Sequence, residues 1–272
     1  MSEILSVVTP TIGRAALKLC FDDARRAAED VHQKHGVNVE HIVAIDGPMY
    51  ADDVEKIVNE WEAANEDTGF YQIYLMQLPF NTGRAGAIVR SAATLVTRGQ
   101  YVVYLDDDNR IDADMWSSFV GELRKSEHTD IEASYCLRRM TCDSETVDDR
   151  CESLGPLHHA FAIVDHYLID TNTYCFRGDF ARKMAPLWSA YSTYPWGDDR
   201  LFFALAAQYI GQFLCIRRSL CTYTCNANLL RAIQEGNERL AAAQPELFVD
   251  TSAIVVATPA NLALQVCVVR MM

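Results

Sequence analysis

Tyr101-Val102-Val103-Tyr104-Leu105-Asp106-Asp107-Asp108-Asn109 passes from five strand-forming residues straight into three adjacent carboxylates. The first five show no polar alternation, which is the pattern of a strand buried on both faces. Three neighbouring carboxylates repel one another unless water or a cation intervenes. In open α/β sheets ligands gather outside the carboxyl ends of the strands, and the triplet falls at such an end. Hard oxygen donors suit Mg²⁺ or Mn²⁺, which typically share one or two protein carboxylates with substrate phosphates. Taken alone, the triplet reads equally well as an acidic turn, because Asp and Asn favour turns. The strand before it moves the reading toward a metal site.

Working outward, Leu5 to Thr9, His41 to Ile45 and Tyr71 to Leu78 are also apolar and β-branched with little alternation. Between the first two, Leu17, Cys20, Phe21, Ala24, Ala28 and Val31 fall at helical spacing; Ala51 to Ala64 and Arg84 to Val96 read as helices too. The resulting β-α-β-α-β-α-β order predicts an α/β fold with a mostly parallel central sheet and helices on both faces. Past Trp116 the order is less regular. Ile131 to Leu137, Ile163 to Cys175 and Phe213 to Ile216 read as strands; Asp198 to Tyr209 and Asn228 to Ala242 read as helices. The acidic stretch from Thr141 to Glu152 reads as a mobile loop. No linker long enough to split the chain is visible. The expectation is one Rossmann-like domain over 1–272: a nucleotide-type half at 1–110, a substrate-type half at 111–225, and a C-terminal helix and tail at 226–272.

Composition limits the partners. Lys and Arg total 24 against 37 Asp and Glu, a net charge of −13. Such a surface repels phosphate backbones and anionic lipid, so nucleic acid and membrane surfaces are excluded as expected partners. A bound nucleotide would need a metal ion or local cations as counter-charge. Neither a secretory signal nor a bilayer-length apolar run is seen, and a soluble, cytoplasmic protein is expected. The nine cysteines, an odd number scattered over a large domain, do not resemble a disulfide framework. Cys136, Cys142, Cys151 and the pair His158-His159 invite a zinc reading, yet their spacing matches no common zinc module, so buried thiols are expected.

The other strand ends carry polar groups as well. Strand one ends in Thr9-Pro10-Thr11-Ile12-Gly13-Arg14, and strand two in Ala44-Ile45-Asp46-Gly47-Pro48. Strand three is followed by Asn81-Thr82-Gly83-Arg84-Ala85-Gly86-Ala87, then a helix bearing Arg90. Arg84 is the cation best placed for a diphosphate. Arg90 fits that role or a structural ion pair. A second acidic cluster, Gly197-Asp198-Asp199-Arg200-Leu201-Phe202, stands far downstream. Neither the glycine fingerprint of NAD-binding folds nor a P-loop occurs.

These five motifs, in this order, resemble those of nucleotide-sugar-dependent glycosyltransferases of the GT-A fold, specifically the large inverting family 2. The resemblance spans roughly residues 4 to 215. It implies that Thr9, Pro10 and Thr11 flank the base and ribose. It implies that Asp46 accepts a hydrogen bond from a pyrimidine ring N–H, which favours a UDP- or dTDP-sugar donor. Arg84 matches a basic position near the diphosphate, Asp107 a ribose contact and Asp108 the Mn²⁺ or Mg²⁺ ligand, with Asp106 sharing either duty. Asp198 matches the catalytic base, and Asp199 fits the same role in a register one residue along. Two family features are missing: no histidine follows His166, so no third metal ligand is named, and the Gln-x-x-Arg-Trp signature of processive synthases is absent.

The implied reaction explains both acidic clusters. Displacement at an anomeric carbon needs a stabilised diphosphate leaving group and, on the opposite face, a carboxylate to take the acceptor hydroxyl's proton. A single in-line step inverts the anomeric configuration. The acceptor would be a glycan or glycoconjugate; Tyr194, Pro195 and Trp196 could stack on it, whereas Trp188 and Tyr191 read as core. Asp198 also suits a helix N-cap. Two other readings are a catalytically silent nucleotide-binding scaffold and a sugar-phosphate nucleotidyltransferase. Against the latter, strand one lacks a Gly-rich phosphate loop.

Overall fold

The structure is a computed structural model that describes residues 2–149, 169–190, 198–210, 213–243 and 254–257. Its first half alternates as the sequence predicts: β1 (Ile4–Thr11), α1 (Leu17–His35), β2 (Asn38–Ile45), α2 (Ala51–Ala64), β3 (Tyr71–Gln77), α3 (Ala87–Val96) and β4 (Tyr101–Tyr104). Then come β5 (Arg110–Ile111), α4 (Met115–Leu123), β6 (Ala133–Cys142), β7 (Glu145–Asp148), β8 (Tyr174–Arg177) and α5 (Gly178–Met184). The remaining elements are α6 (Asp198–Ala206), β9 (Phe213–Thr224), α7 (Ala227–Ala243) and β10 (Ile254–Ala257).

The described strands form one sheet in the order β10-β9-β6-β8-β4-β1-β2-β3, with β5 on β9 and β7 on β6. Strands β3, β2, β1 and β4 run parallel, joined by helical crossovers. Beyond β4 the sheet is mixed: β8 is antiparallel to both β4 and β6, whereas β6 and β9 are parallel.

Period-two side-chain alternation builds a core on each face. Val7, Val43 and Val103 face Phe21 of α1, Val54 and Trp61 of α2, and Trp116 and Phe119 of α4. Their neighbours Val8, Ile42 and Val102 face Val89 of α3, Phe180 of α5, and Phe202 and Phe203 of α6. Each such side chain, fully buried, contributes about 1.5–3 kcal/mol. A smaller cluster of Met140, Leu230 and Ile233 seats α7 on β6.

Several boundaries differ from the sequence reading. α3 starts at Ala87 and not at Arg84, because Gly83, Ala85 and Gly86 all have positive φ. Of the acidic stretch Thr141 to Glu152, residues 150–152 lie outside the described ones; the rest forms a hairpin, β6 turning at Asp143 into β7, and Asp149 is buried. Of the stretch Ile163 to Cys175, residues 163–168 lie outside the described ones; Thr171–Thr173 is a 3₁₀ turn and extended structure begins at Tyr174. β9 runs eight residues past Ile216. The short helix α4 was not read from the sequence, although Trp116, Phe119, Val120 and Leu123 have helical spacing and are buried.

Candidate active site

The acidic turn begins where the β4 ladder divides. Toward β1, the Leu105 N–H still donates to the Val8 carbonyl at 3.1 Å. Toward β8, the Asp106 N–H donates instead to the side-chain Oδ1 of Asn172 at 2.6 Å. The three carboxylates then take different partners. Asp106 accepts from Arg90 Nη2 and, at 3.1 Å, from Asn172 Nδ2. Asp107 accepts from the Thr11 hydroxyl at 2.6 Å and from Arg14 Nη1 at 3.1 Å, and is almost fully buried. Asp108 accepts from the same Arg14 nitrogen, with half of its side chain exposed. Burial pushes the Asp107 carboxyl up to about 6, against the Thr11 hydrogen bond and the Arg14 charge. Asp108 is raised too, by burial first and by the charge of Asp106 second. The turn therefore holds more negative charge than its surroundings solvate comfortably, a condition that an added cation relieves.

Thr9 and Thr11, two apart on β1, point to the same face of the sheet and differ in their distance from the strand end. Thr11 faces the acidic turn, whereas Thr9 is fully buried, its hydroxyl 2.7 Å from His41 Nε2; His41 Nδ1 in turn lies 2.7 Å from the Tyr71 hydroxyl. Pro10 packs against the loop before α3. A Cβ on Gly86 would sit 2.9 Å from Pro10 Cβ, and Gly86 has φ +80°, so only glycine fits there. Asp46, at the end of β2, is buried and reaches the same loop. It accepts from the Thr82 N–H at 2.8 Å and from the Thr82 hydroxyl at 3.1 Å.

Arg84, on that loop, makes a forked contact with Asp198 at the start of α6. Its Nε donates to Oδ2 at 2.9 Å and its Nη2 to Oδ1 at 2.6 Å. Arg90 is buried. It holds Asp106, donates to the Ala85 carbonyl at 3.0 Å and lies 5.2 Å over the Trp188 ring. Burial lowers the Arg90 pKa, but Asp106 outweighs it, and the net direction is up. Trp188 stacks on Phe202 with ring centroids 3.8 Å apart, which anchors α6 and hence Asp198. Asp199, beside it, contributes its charge to both Arg90 and Tyr174.

Of the residues singled out in the sequence, Thr11, Asp107 and Asp108 form one contact group, joined by Arg14. Asp46 is tied through Thr82 to the loop that carries Arg84, and Arg84 to Asp198. Asp106 faces inward to Arg90 and Asn172, and Thr9 faces the core. Arg90 is a buried ion-pair partner, the structural alternative of its two readings. Arg14, Thr82 and Asn172 were not picked out in the sequence. Arg14 and Thr82 stand inside quoted motifs, and Asn172 stands in Ile169-Asp170-Thr171-Asn172-Thr173, a stretch whose sequence resembles an acceptor-side strand of family 2 glycosyltransferases and in which Asp170 reads equally as a structural hydrogen-bond partner. Tyr191, Tyr194, Pro195, Trp196, Cys151, His158 and His159 lie outside the described residues.

Among the described residues no group of three or more His, Cys, Asp and Glu side chains could by itself hold a metal ion. The donor set fits a shared mode: Asp108 is a half-exposed carboxylate at a strand end, and Mg²⁺ and Mn²⁺ commonly take one or two such groups plus substrate phosphates. No described helix is long and apolar enough to cross a membrane.

No curated protein matches the chain. Solved structures share its fold at low identity. Residues 1–349 of S. aureus TarS align with 91% of this chain and 71% of theirs, at TM-score 0.53 and 15% identity. The same protein in complex with UDP-GlcNAc aligns with 89% and 71%, at TM-score 0.55 and 12% identity. The mannosyltransferase PcManGT from Pyrobaculum calidifontis, in complex with GDP-Man and Mn²⁺, aligns with 97% and 68%, at TM-score 0.50 and 14% identity. The sequence model for Glycosyl transferase family 2 matches residues 6–177, which runs from within β1 to the end of β8 and includes the whole acidic turn. By that match, the chain belongs to glycosyl transferase family 2 and is a glycosyltransferase.

Proposed function

We propose that the chain, acting as one domain, is a metal-assisted inverting transferase that moves a sugar from a UDP- or dTDP-sugar to a hydroxyl of a glycan or glycoconjugate. The observation that carries this reading is that the loop at 81–87 ties Asp46, through Thr82, and Asp198, through Arg84, while Asp108 stands with Asp107, Thr11 and Arg14 at the ends of the adjoining parallel strands β1 and β4. TarS has been solved with UDP and UDP-GlcNAc, and PcManGT with GDP-Man and Mn²⁺, which supports a nucleotide-sugar donor and a divalent ion. Thr11 and Asp107 line the ribose side, Pro10 packs against the loop before α3, and Thr9 supports the end of β1 from the core through His41. Asp46 keeps acceptor capacity beyond its two bonds to Thr82, enough for a pyrimidine N3–H. Asp108 would hold Mn²⁺ or Mg²⁺, whose chemistry is to neutralise charge on the departing diphosphate.

Arg84 leaves Asp198 for the diphosphate, because a group with two or more negative charges outcompetes a single carboxylate. Asp198, released from the fork, takes the proton of the acceptor hydroxyl as its oxygen attacks the anomeric carbon. Asp199 is the alternative base, one residue along the same helix turn.

Calorimetry with UDP, dTDP, CDP and GDP in the presence of Mn²⁺ tests the donor. CDP is the sharpest control, since cytosine N3 carries no hydrogen. Losing one charge-assisted bond costs about 1.5–3 kcal/mol, at least tenfold in affinity. Equal binding of CDP and UDP would remove Asp46 from the base site.

A further inference from the structure

Asn172 lies 66 residues from Asp106 and makes two hydrogen bonds to it. It is 2% exposed. The amide oxygen takes the Asp106 N–H at 2.6 Å, and the amide nitrogen donates to Asp106 Oδ2 at 3.1 Å and to Asp170 Oδ1 at 3.0 Å. Asn172 thus closes the open side of β4 where β8 no longer supplies a ladder partner. Because Asn presents an acceptor and a donor together, it meets the backbone N–H and the carboxylate of one residue at once. Asp cannot do this: it has no N–H to offer the two carboxylates.

Behind Asn172 stands a buried chain of charge. Asp170 Oδ1 also accepts the Asn172 N–H at 2.9 Å, and its Oδ2 accepts from Arg138 Nη1 at 2.5 Å. Arg138 Nε donates to Asp149 Oδ2 at 3.1 Å, and both of these side chains are almost fully buried. Asn172 is therefore held on its far side by an ion-pair network, which fixes the position of its amide. On the near side Arg90 holds the other oxygen of Asp106. With Asp106 clamped at its N–H and both carboxylate oxygens, the two residues that follow have little freedom. Asp107 turns to Thr11, and Asp108 is left half exposed at the rim.

We infer that Asn172 is a positioning residue for the acidic turn: acting through Asp106, it sets where Asp108 presents its carboxylate to the divalent ion and the donor. This inference rests on the donor-and-metal reading of Asp108. Outer-layer groups that orient a metal ligand typically change metal affinity or activity by about 10–100-fold when removed.

The test uses the full chain, with UDP and Mn²⁺ as probes. Asn172→Ala should weaken UDP binding in Mn²⁺ by about 10–100-fold in calorimetry, while UDP binding in EDTA changes little. Asn172→Asp keeps the size and the acceptor for the Asp106 N–H but sets a third carboxylate against Asp106 and Asp170. It should be at least as defective as Asn172→Ala, and it stands in if the alanine variant does not fold. The double variant Asn172→Ala/Asp106→Asn should be no worse than the more defective single variant, because the two residues act as one unit. Circular dichroism of each variant checks the fold. Folded Asn172→Ala or Asn172→Asp with parental UDP affinity in Mn²⁺ would overturn the inference, as would full additivity of the double variant. A parent chain that binds UDP equally in Mn²⁺ and EDTA would instead sink the metal reading, and the inference with it.

Discussion

Arg84 and Asp198, 114 residues apart, meet in a two-bond fork at 2.9 and 2.6 Å, with 22% and 13% of their side chains exposed. The proposed diphosphate cation and the proposed base thus occupy each other before any donor arrives. A planar guanidinium matches a carboxylate in this way, and it matches a phosphate equally well.

This pairing sharpens the prediction for the base. Asp198→Asn keeps the size of the side chain but cannot take a proton at neutral pH, so transfer should fall by about 10²–10⁴. It also weakens the hold on Arg84, so UDP affinity in Mn²⁺ should stay level or rise. Asn serves nearly as well as Asp at a helix N-terminus, and the melting temperature should move little. Asp199→Asn is the paired control. If it alone abolishes transfer, Asp199 is the base; parental turnover in both variants would remove the base from α6.

Asp108 carries the prediction about metal. UDP should raise the melting temperature of the parent chain when Mn²⁺ is present and far less in EDTA, because only binding to the folded state stabilises it. Asp108→Ala should lose most of the Mn²⁺-dependent shift. An identical UDP shift with Mn²⁺ and with EDTA would exclude a metal role for this carboxylate.

Much of this arrangement was legible before the structure, for a local reason. Val7 and Val8, or Val102 and Val103, are apolar on both faces, and the strand ends Thr11, Asp46 and Asp106 to Asp108 follow at once in sequence. What stayed hidden is long-range pairing. Nothing near Arg84 says that its partner is Asp198, and nothing near Asp106 says that Asn172 caps its N–H. The β6–β7 hairpin was read as a loop because its outer residues are polar; the buried pairing of Arg138 with Asp149 supplies what composition does not reveal. The mixed half of the sheet lacks helical crossovers between every pair of strands, so alternation gives no order there.

Arg14 now stands on Asp107 and Asp108, where the divalent ion is expected. Arg14→Ala removes a competing cation, and Mn²⁺ alone should bind more tightly. The pair with Asp108 is half exposed on both sides, which limits the gain to about 1 kcal/mol, or roughly fivefold. Mn²⁺ titration followed by electron paramagnetic resonance reads this directly. A loss of Mn²⁺ affinity in the variant would mean that Arg14 orders the turn rather than competing for it.

His41 governs a separate, acid-sensitive property. It is fully buried between the Thr9 and Tyr71 hydroxyls, and burial pulls its pKa down to about 3 from the usual 6.5. The unfolded chain therefore takes up a proton below pH 6.5 that the folded chain refuses until about pH 3. The stability that neutral His41 supports is complete above pH 6.5 and is lost as pH falls through this window. One proton corresponds to about 1.36 kcal/mol per pH unit, so from pH 6.5 to 5 the loss approaches about 2 kcal/mol. His41→Gln should be less stable than the parent at pH 7, because one side-chain amide reaches the two hydroxyls less well than the ring does. Its stability should nonetheless fall less steeply between pH 6.5 and 5, by close to one proton's slope. Urea unfolding at half-unit steps of pH measures both quantities, and this window lies above the range where most carboxylates titrate. Parallel curves for parent and variant would mean that His41 takes up its proton in the folded state as readily as in the unfolded one.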